Sequence, residues 1–254
     1  AMSGWAGARY YAGHYNLMLV AGWFPWGIVA YRHALQCRTS PALLPGIGVL
    51  GAALLAGYPP LLVYLALAWG VLWAYHIAIA PDGEQRRAAW DGAWRAVAIG
   101  AGALVLGAGL VIPSVELVRL AVREGSGLAF ADSYALPPAN LLTMAAPGLF
   151  GWPQAEPYYY WGADFVEEFT AYAGIVPLLA IPLAFRWLRR ENAYFGALIA
   201  FGVVYSFGIE GGLMPVLAGS IPGWTSFRVP ARGLLLVVIG MAGLTALLIT
   251  HLQR

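Results

Sequence analysis

The sequence predicts an all-α polytopic membrane protein: a transmembrane helix bundle of about seven spans with one long outer-face segment. Three observations predict it. The chain of 254 residues is 61% hydrophobic and only 10% charged, with a mean hydropathy of +0.70. Globular chains carry about a quarter charged residues, so a water-soluble fold could not hide this much apolar surface. The apolar residues fall in runs that approach the roughly 17–25 residues a helix needs to cross the hydrocarbon core. Eleven Trp and fourteen Tyr supply the amphipathic rings that settle at bilayer interfaces.

The expected spans are Asn16–Leu35, Pro41–Gly57, Leu61–Ala80, Ala96–Ile112, Tyr172–Leu188, Ala193–Ile209 and Gly233–Leu252. Tyr58, Pro59 and Pro60 separate the second from the third and predict a tight turn at one membrane face. Pro25, Pro177 and Pro182 fall inside spans and predict kinks, which membrane helices tolerate. With the first residues outside, the inner loops hold nine arginines against four acids, and the outer side holds five against eight. That bias follows the positive-inside rule and predicts an outer N-terminus and a cytoplasmic C-terminus.

No internal repeat and no linker divides the chain, so residues 1–254 read as one transmembrane domain. Ala1 precedes Met2, and no basic region followed by an apolar run and a cleavage site opens the chain. The expectation is a piece of a longer protein. A net charge of +2 offers nothing for nucleic acid, and a single cysteine, Cys37, excludes an internal disulfide or a cysteine-built metal site. His14, His33, His76 and His251 are scattered without the spacing of a metal site, and no phosphate-binding glycine loop occurs. A lone histidine could serve as an axial ligand to a pigment, but packing is the plainer role. No cofactor is expected, and the many glycines suit close helix packing, as at Gly46, Gly48, Gly51, Gly100 and Gly107.

The outer segment, Glu116 to Thr170, carries five prolines and cannot be one helix, although Asn140–Ala145 suits a short one. Tyr158, Tyr159, Tyr160 and Trp161, followed by Asp164, Glu167 and Glu168, mix flat rings with carboxylates. Such a mixture suits carbohydrate; the plainer reading is an aromatic belt beside solvated acids. At the start of the segment, Glu116, Arg119 and Arg123 share one helical face, and ionisable groups near membrane depth tend to be functional. Self-neutralisation at the interface is the alternative.

Ahead of the last span stands Ser226-Phe-Arg-Val-Pro-Ala-Arg232. Pro230 favours a first helical turn, with Thr225 or Ser226 as its cap. Arg228 and Arg232 then lie at the positive end of a helix dipole, where a cation needs a counter-charge. That counter-charge is a bound anion such as phosphate, or an acid such as Glu116 or Glu210.

Several short motifs occur in order. They are Gly13-His14-Tyr-Asn-Leu17 with Gly22-Trp-Phe-Pro-Trp26, Leu55-Ala-Gly-Tyr-Pro59, and Ile112-Pro-Ser-Val-Glu-Leu-Val-Arg119. Leu136-Pro-Pro-Ala-Asn-Leu-Leu142, Pro147-Gly-Leu-Phe-Gly151, Tyr172-Ala-Gly-Ile-Val-Pro-Leu178 and Phe227-Arg-Val-Pro-Ala-Arg232 complete the series. In these the chain resembles the YfhO-like bacterial membrane proteins, within the GT-C-type glycosyltransferases. Tyr58 stands where relatives often have His in a Gly-His-Pro pattern, which weakens a role for that turn.

The resemblance implies a partial chain lacking N-terminal spans, in the bacterial inner (plasma) membrane. It implies transfer of a sugar from a polyprenyl-phosphate-linked donor to a cell-envelope acceptor on the outer face. In related enzymes the catalytic acid lies in the first outer loop, a region not in this chain. Within this sequence Glu116 is then the candidate acid/base, Arg119, Arg228 and Arg232 the phosphate contacts, and His14 and Asp164 the sugar contacts. The partners expected are membrane lipids, the lipid-linked sugar and other membrane subunits. The alternative is a non-catalytic structural or accessory subunit of a larger, energy-transducing membrane complex.

Overall fold

The computed structural model describes residues 3–37, 39–120, 127–152, 159–163, 165–186 and 190–253. They are helical apart from turns, loops and one two-residue antiparallel pairing. The chain forms two compact units, one made of residues 1–14 with 125–254 and the other of residues 15–124. Helix α1 (Gly4–Tyr11) opens the chain, and the Ser3 hydroxyl accepts the Ala6 N–H as its N-cap.

The unit of residues 15–124 begins with α2 (Tyr15–Gly22) and α3 (Phe24–Gln36). A 3₁₀ turn, Ser40–Leu43, runs into α4 (Leu44–Leu55), and a second, Pro59–Leu61, runs into α5 (Leu62–Ala78). Helices α6 (Gln85–Leu106) and α7 (Ala108–Leu120) complete it. Helices α4 and α6 meet along a glycine seam. A Cβ on Gly46 would lie 2.8 Å from Ile99, one on Gly102 2.7 Å from Ile47, and one on Gly107 2.3 Å from Leu54. The partner numbers rise together, so these helices run parallel, and small residues let their backbones approach. Indole N–H groups add fixed points: Trp69 donates to the Gly27 carbonyl and Trp73 to that of Ala89, both at 3.0 Å.

The other unit continues from α1 through α8 (Leu128–Ala131), a 3₁₀ segment Pro138–Met144, and the strands β1 (Gly151–Trp152) and β2 (Tyr159–Tyr160). Then follow α9 (Val166–Phe169), α10 (Ile175–Arg186), α11 (Arg190–Ser206), α12 (Leu213–Ser220) and α13 (Leu234–Leu252). Helix α13 fills the core with Leu234, Leu236, Val237, Met241 and Leu244. Its glycines face α11: Gly240 lies against Ile199, and Gly243 against the Phe195 ring.

Two helical segments are long and apolar enough to cross a membrane, Pro59–Ala78 and Pro230–Leu252. A third crossing results if Gln85–Leu106 and Ala108–Leu117, bent by 84°, form one span. Ser40–Leu55, Ile175–Ala184 and Asn192–Ser206 are apolar but shorter, so length and composition support two to three crossings among the described residues. Apolar composition runs straight through the helix breaks. The first expected span is interrupted at Trp23 and the fourth at Gly107. Of the three expected kinking prolines only Pro182 lies inside a helix beyond its first turn; Pro25 and Pro177 sit in the first turns of α3 and α10. Pro113, inside α7, was not among them. The short helix expected at Asn140–Ala145 is present as the 3₁₀ segment Pro138–Met144.

Candidate functional site

The ion pairs among the described residues join three distant parts of one unit: α1, α9 and the start of α13. Helix α1 is held in place by the Gly4 N–H, which donates to the Tyr172 carbonyl. That contact needs glycine, since a Cβ there would lie 2.9 Å from Tyr172 Cβ. One turn on, Trp5 and Arg9 face inward, and the Arg9 guanidinium lies 4.0 Å from the Trp5 ring centroid. Helix α9 is short, but the Thr143 hydroxyl bridges the Asn140 and Phe169 carbonyls and ties it to the 3₁₀ segment before it. Its Glu168 points into the unit and is 5% exposed.

Glu168 receives two guanidinium groups. Arg9 Nη2 donates to Oε2 at 2.8 Å. Arg232 Nη2 donates to Oε1 at 2.7 Å, with its Nε at 3.2 Å from Oε1 and 3.3 Å from Oε2. The second arrangement is the planar fork that a carboxylate or phosphate accepts and an ammonium cannot offer. Burial pulls the Arg9 pKa down to about 10, against the opposing pull of Glu168, so the group stays cationic at neutral pH. Burial alone would raise the Glu168 carboxyl. The charge of Arg9, the hydrogen bonds and charge of Arg232, and His14 outweigh it and hold the group below its ordinary range. Three buried polar atoms in the same neighbourhood have no partner, Trp5 Nε1, Arg9 Nε and His14 Nδ1.

The start of α13 forms as expected around Pro230, within the 3₁₀ turn Pro230–Gly233. The expected cap does not. Val229, not Thr225 or Ser226, precedes the turn, with φ of 69° and no side-chain cap. A β-branched residue in the left-handed region is strained, and the Val229 N–H donating to the Ser133 carbonyl helps to hold it. This backbone turn sends the two flanking arginines apart. Arg232 enters the buried cluster, whereas Arg228 is exposed and lies 5.8 and 5.9 Å from the Phe130 and Tyr134 rings. Arg232 thus meets a carboxylate, that of Glu168 rather than Glu116 or Glu210, and Arg228 meets aromatic faces.

Glu116 is exposed on α7, in the unit of residues 15–124, and makes no ion pair among the described residues. The Arg119 side chain, Asp164 and Arg123 lie outside what is described. His14 is half-buried and does belong to the Glu168 neighbourhood. Of the aromatic run, Trp161 is exposed and packs edge-on to Phe150, and the Tyr160 hydroxyl donates to the Ala163 carbonyl. In the sequence Arg9 counts only as an outer charge, and Glu168 as one of the carboxylates that follow the aromatic run. The signal available for Arg9 was a cation in the aromatic stretch Trp5–Tyr11; nothing local marked Glu168 as its partner.

Among the described residues no group of three or more His, Cys, Asp or Glu could hold a metal ion. No family model, curated protein or solved structure matches the chain. The chemistry of the site thus rests on its own residues: a buried carboxylate held by one fork-forming arginine and one singly bonded arginine, with an unpartnered guanidinium nitrogen and imidazole beside it.

Proposed function

We propose that the chain is the membrane portion of a GT-C-type, YfhO-like glycosyltransferase of the bacterial inner membrane, acting on a polyprenyl-phosphate-linked sugar at the outer face. In this reading it has seven crossings, an outer N-terminus and a cytoplasmic C-terminus, and the cluster of Arg9, Glu168, Arg232 and His14 faces the outer side. The observation that carries the reading is the buried basic cluster, whose unpartnered Arg9 Nε and His14 Nδ1 suit the oxygens of a phosphate. In the transfer, the acceptor hydroxyl oxygen bonds to the anomeric carbon as the bond from that carbon to the phosphate oxygen breaks. The electron pair leaves on the polyprenyl phosphate, where guanidinium groups stabilise it, and the acceptor proton passes to a carboxylate base.

A transfer assay with a labelled polyprenyl-phosphate sugar tests this. Arg232→Ala should weaken lipid-phosphate binding strongly and Arg232→Lys partly, because lysine keeps the charge and loses the fork. Glu116→Gln should abolish transfer in a folded, inserted protein; full activity would remove Glu116 from the mechanism. Orientation is tested by single cysteines placed in a Cys37-free background. Labelling within 186–190 by an impermeant reagent on intact cells would refute it.

A second reading, a non-catalytic accessory subunit, is favoured by one observation. Glu168, the best-buried carboxylate described, is committed to two arginines and is not free to take a proton. Phosphate-lipid binding without transfer under any acceptor would select that reading.

A further inference from the structure

Arg95, in the unit of residues 15–124, is a buried cation that the proposed chemistry does not use. It is 4% exposed, and neither its Nε nor its Nη1 has a hydrogen-bond partner. Its guanidinium lies 5.2 Å from the Trp94 ring centroid, a contact that covers one face and leaves the in-plane donors unmet. Asp91, one turn earlier on α6, is half-buried and forms no ion pair with it. A buried guanidinium with open donors is costly unless an acceptor fills them.

The surroundings say what kind of acceptor. Helices α4 and α6 run parallel with Gly46 beside Ile99 and Ile47 beside Gly102. Continued down one turn and a half, that register sets Arg95 level with the 3₁₀ turn Ser40–Leu43, where the Ser40–Leu55 helical segment begins. A helix start presents positive charge and N–H groups, so a second cation there calls for an anion. The depth is marked by two exposed indoles on the same helix, Trp90 and Trp94, at 68% and 46% exposure. Exposed tryptophans at the end of an apolar helix sit at headgroup level.

We propose that Arg95 anchors the phosphate of an anionic phospholipid headgroup, with the start of the Ser40–Leu55 segment as the second wall of the site. Free phosphate shares the chemistry, and the tryptophan level favours the lipid. The inference is independent of glycosyl transfer and of which end of the chain lies outside.

The full chain is purified, and retention of phosphatidylglycerol against phosphatidylcholine is read by native mass spectrometry, together with thermal protection by each lipid and by inorganic phosphate. Wild type should retain phosphatidylglycerol about tenfold better than phosphatidylcholine, the scale of one charge-assisted hydrogen bond. Arg95→Gln should lose that preference, and Arg95→Lys should keep part of it. Arg86→Gln, at an exposed arginine near the same end, should keep all of it. Equal retention of the two lipids by wild type overturns the proposal without any variant being folded. Protection by inorganic phosphate with no lipid preference overturns the lipid assignment, and an unchanged preference in a folded Arg95→Gln protein overturns the role of Arg95.

Discussion

Glu168→Gln changes one oxygen for an amide group of nearly the same size and removes the charge that two guanidinium groups share. The Arg9 side chain is wholly buried, that of Glu168 is 6% exposed and that of Arg232 14% exposed. Removing one partner of a buried ion pair costs about 3–5 kcal/mol, because the charge left behind is uncompensated. Arg232 can turn toward water and recover part of this; Arg9 cannot. A loss of about 4 kcal/mol is therefore expected. For a chain of this length each kcal/mol moves the melting temperature by roughly 2–4 °C, so the variant should melt on the order of 10 °C lower. Tryptophan fluorescence on the purified protein in detergent follows the transition. Pairing Glu168→Gln with Arg9→Gln should recover at least about 1 kcal/mol relative to the sum of the single effects, since the two residues touch. A Glu168→Gln protein within about 0.5 kcal/mol of wild type, the range of an ordinary surface change, would refute the cluster as a buried ionic centre.

Four further outcomes are expected. Because the Glu168 carboxyl is held low in the folded state, its contribution is fully present above the unfolded value of about 4.3 and is lost as pH falls through the lower folded value. Melting temperatures taken from neutral to acid pH should thus drop steeply below about pH 4 in wild type and less steeply in Glu168→Gln. Gly92→Ala places a Cβ 2.3 Å from the Trp73 ring, which its hydrogen bond to Ala89 prevents from moving, and should cost about 1–3 kcal/mol. Gly100→Ala, where a Cβ meets nothing within 4 Å, should be neutral or gain up to about 1 kcal/mol in the same melting assay. Arg228→Ala should change stability by less than about 1 kcal/mol, the scale of an exposed cation–π contact, and leave phosphate affinity as it was.

The helical class of the chain was legible because it depends on composition, and composition needs no partner. The start of α13 was legible for a related reason: proline at position 230 fixes its own φ and lacks an N–H, a local property. The ends of the other helices were not, because Gly107 and Trp23 break helices without interrupting an apolar run. The cap at Val229 was hidden as well, since its backbone is supported from Ser133, far back in the chain. The site divides in the same way. Arg232 could be placed beside a counter-charge from dipole arguments alone. Glu168 could not be named as that counter-charge, because it lies 64 residues from Arg232 and 159 from Arg9, and no periodicity spans such separations.

The parallel seam between α4 and α6 also dictates a timetable. In the seven-crossing reading proposed above, two parallel neighbours in one membrane need a return crossing between them, here α5, so the surface of α4 that bears Gly46 and Gly51 cannot close when it is made. It must wait for about 50 further residues, which at ribosomal speeds of roughly 5–20 residues per second is some 3–10 s. During that interval lipid, rather than protein, covers the glycines. Lipid tails are as apolar as leucine, so the open seam has little drive to close on the wrong helix. A substitution such as Gly46→Leu would therefore leave the insertion of α4 untouched and halt assembly at a later and separate stage, when α6 arrives and Ile99 finds its place taken.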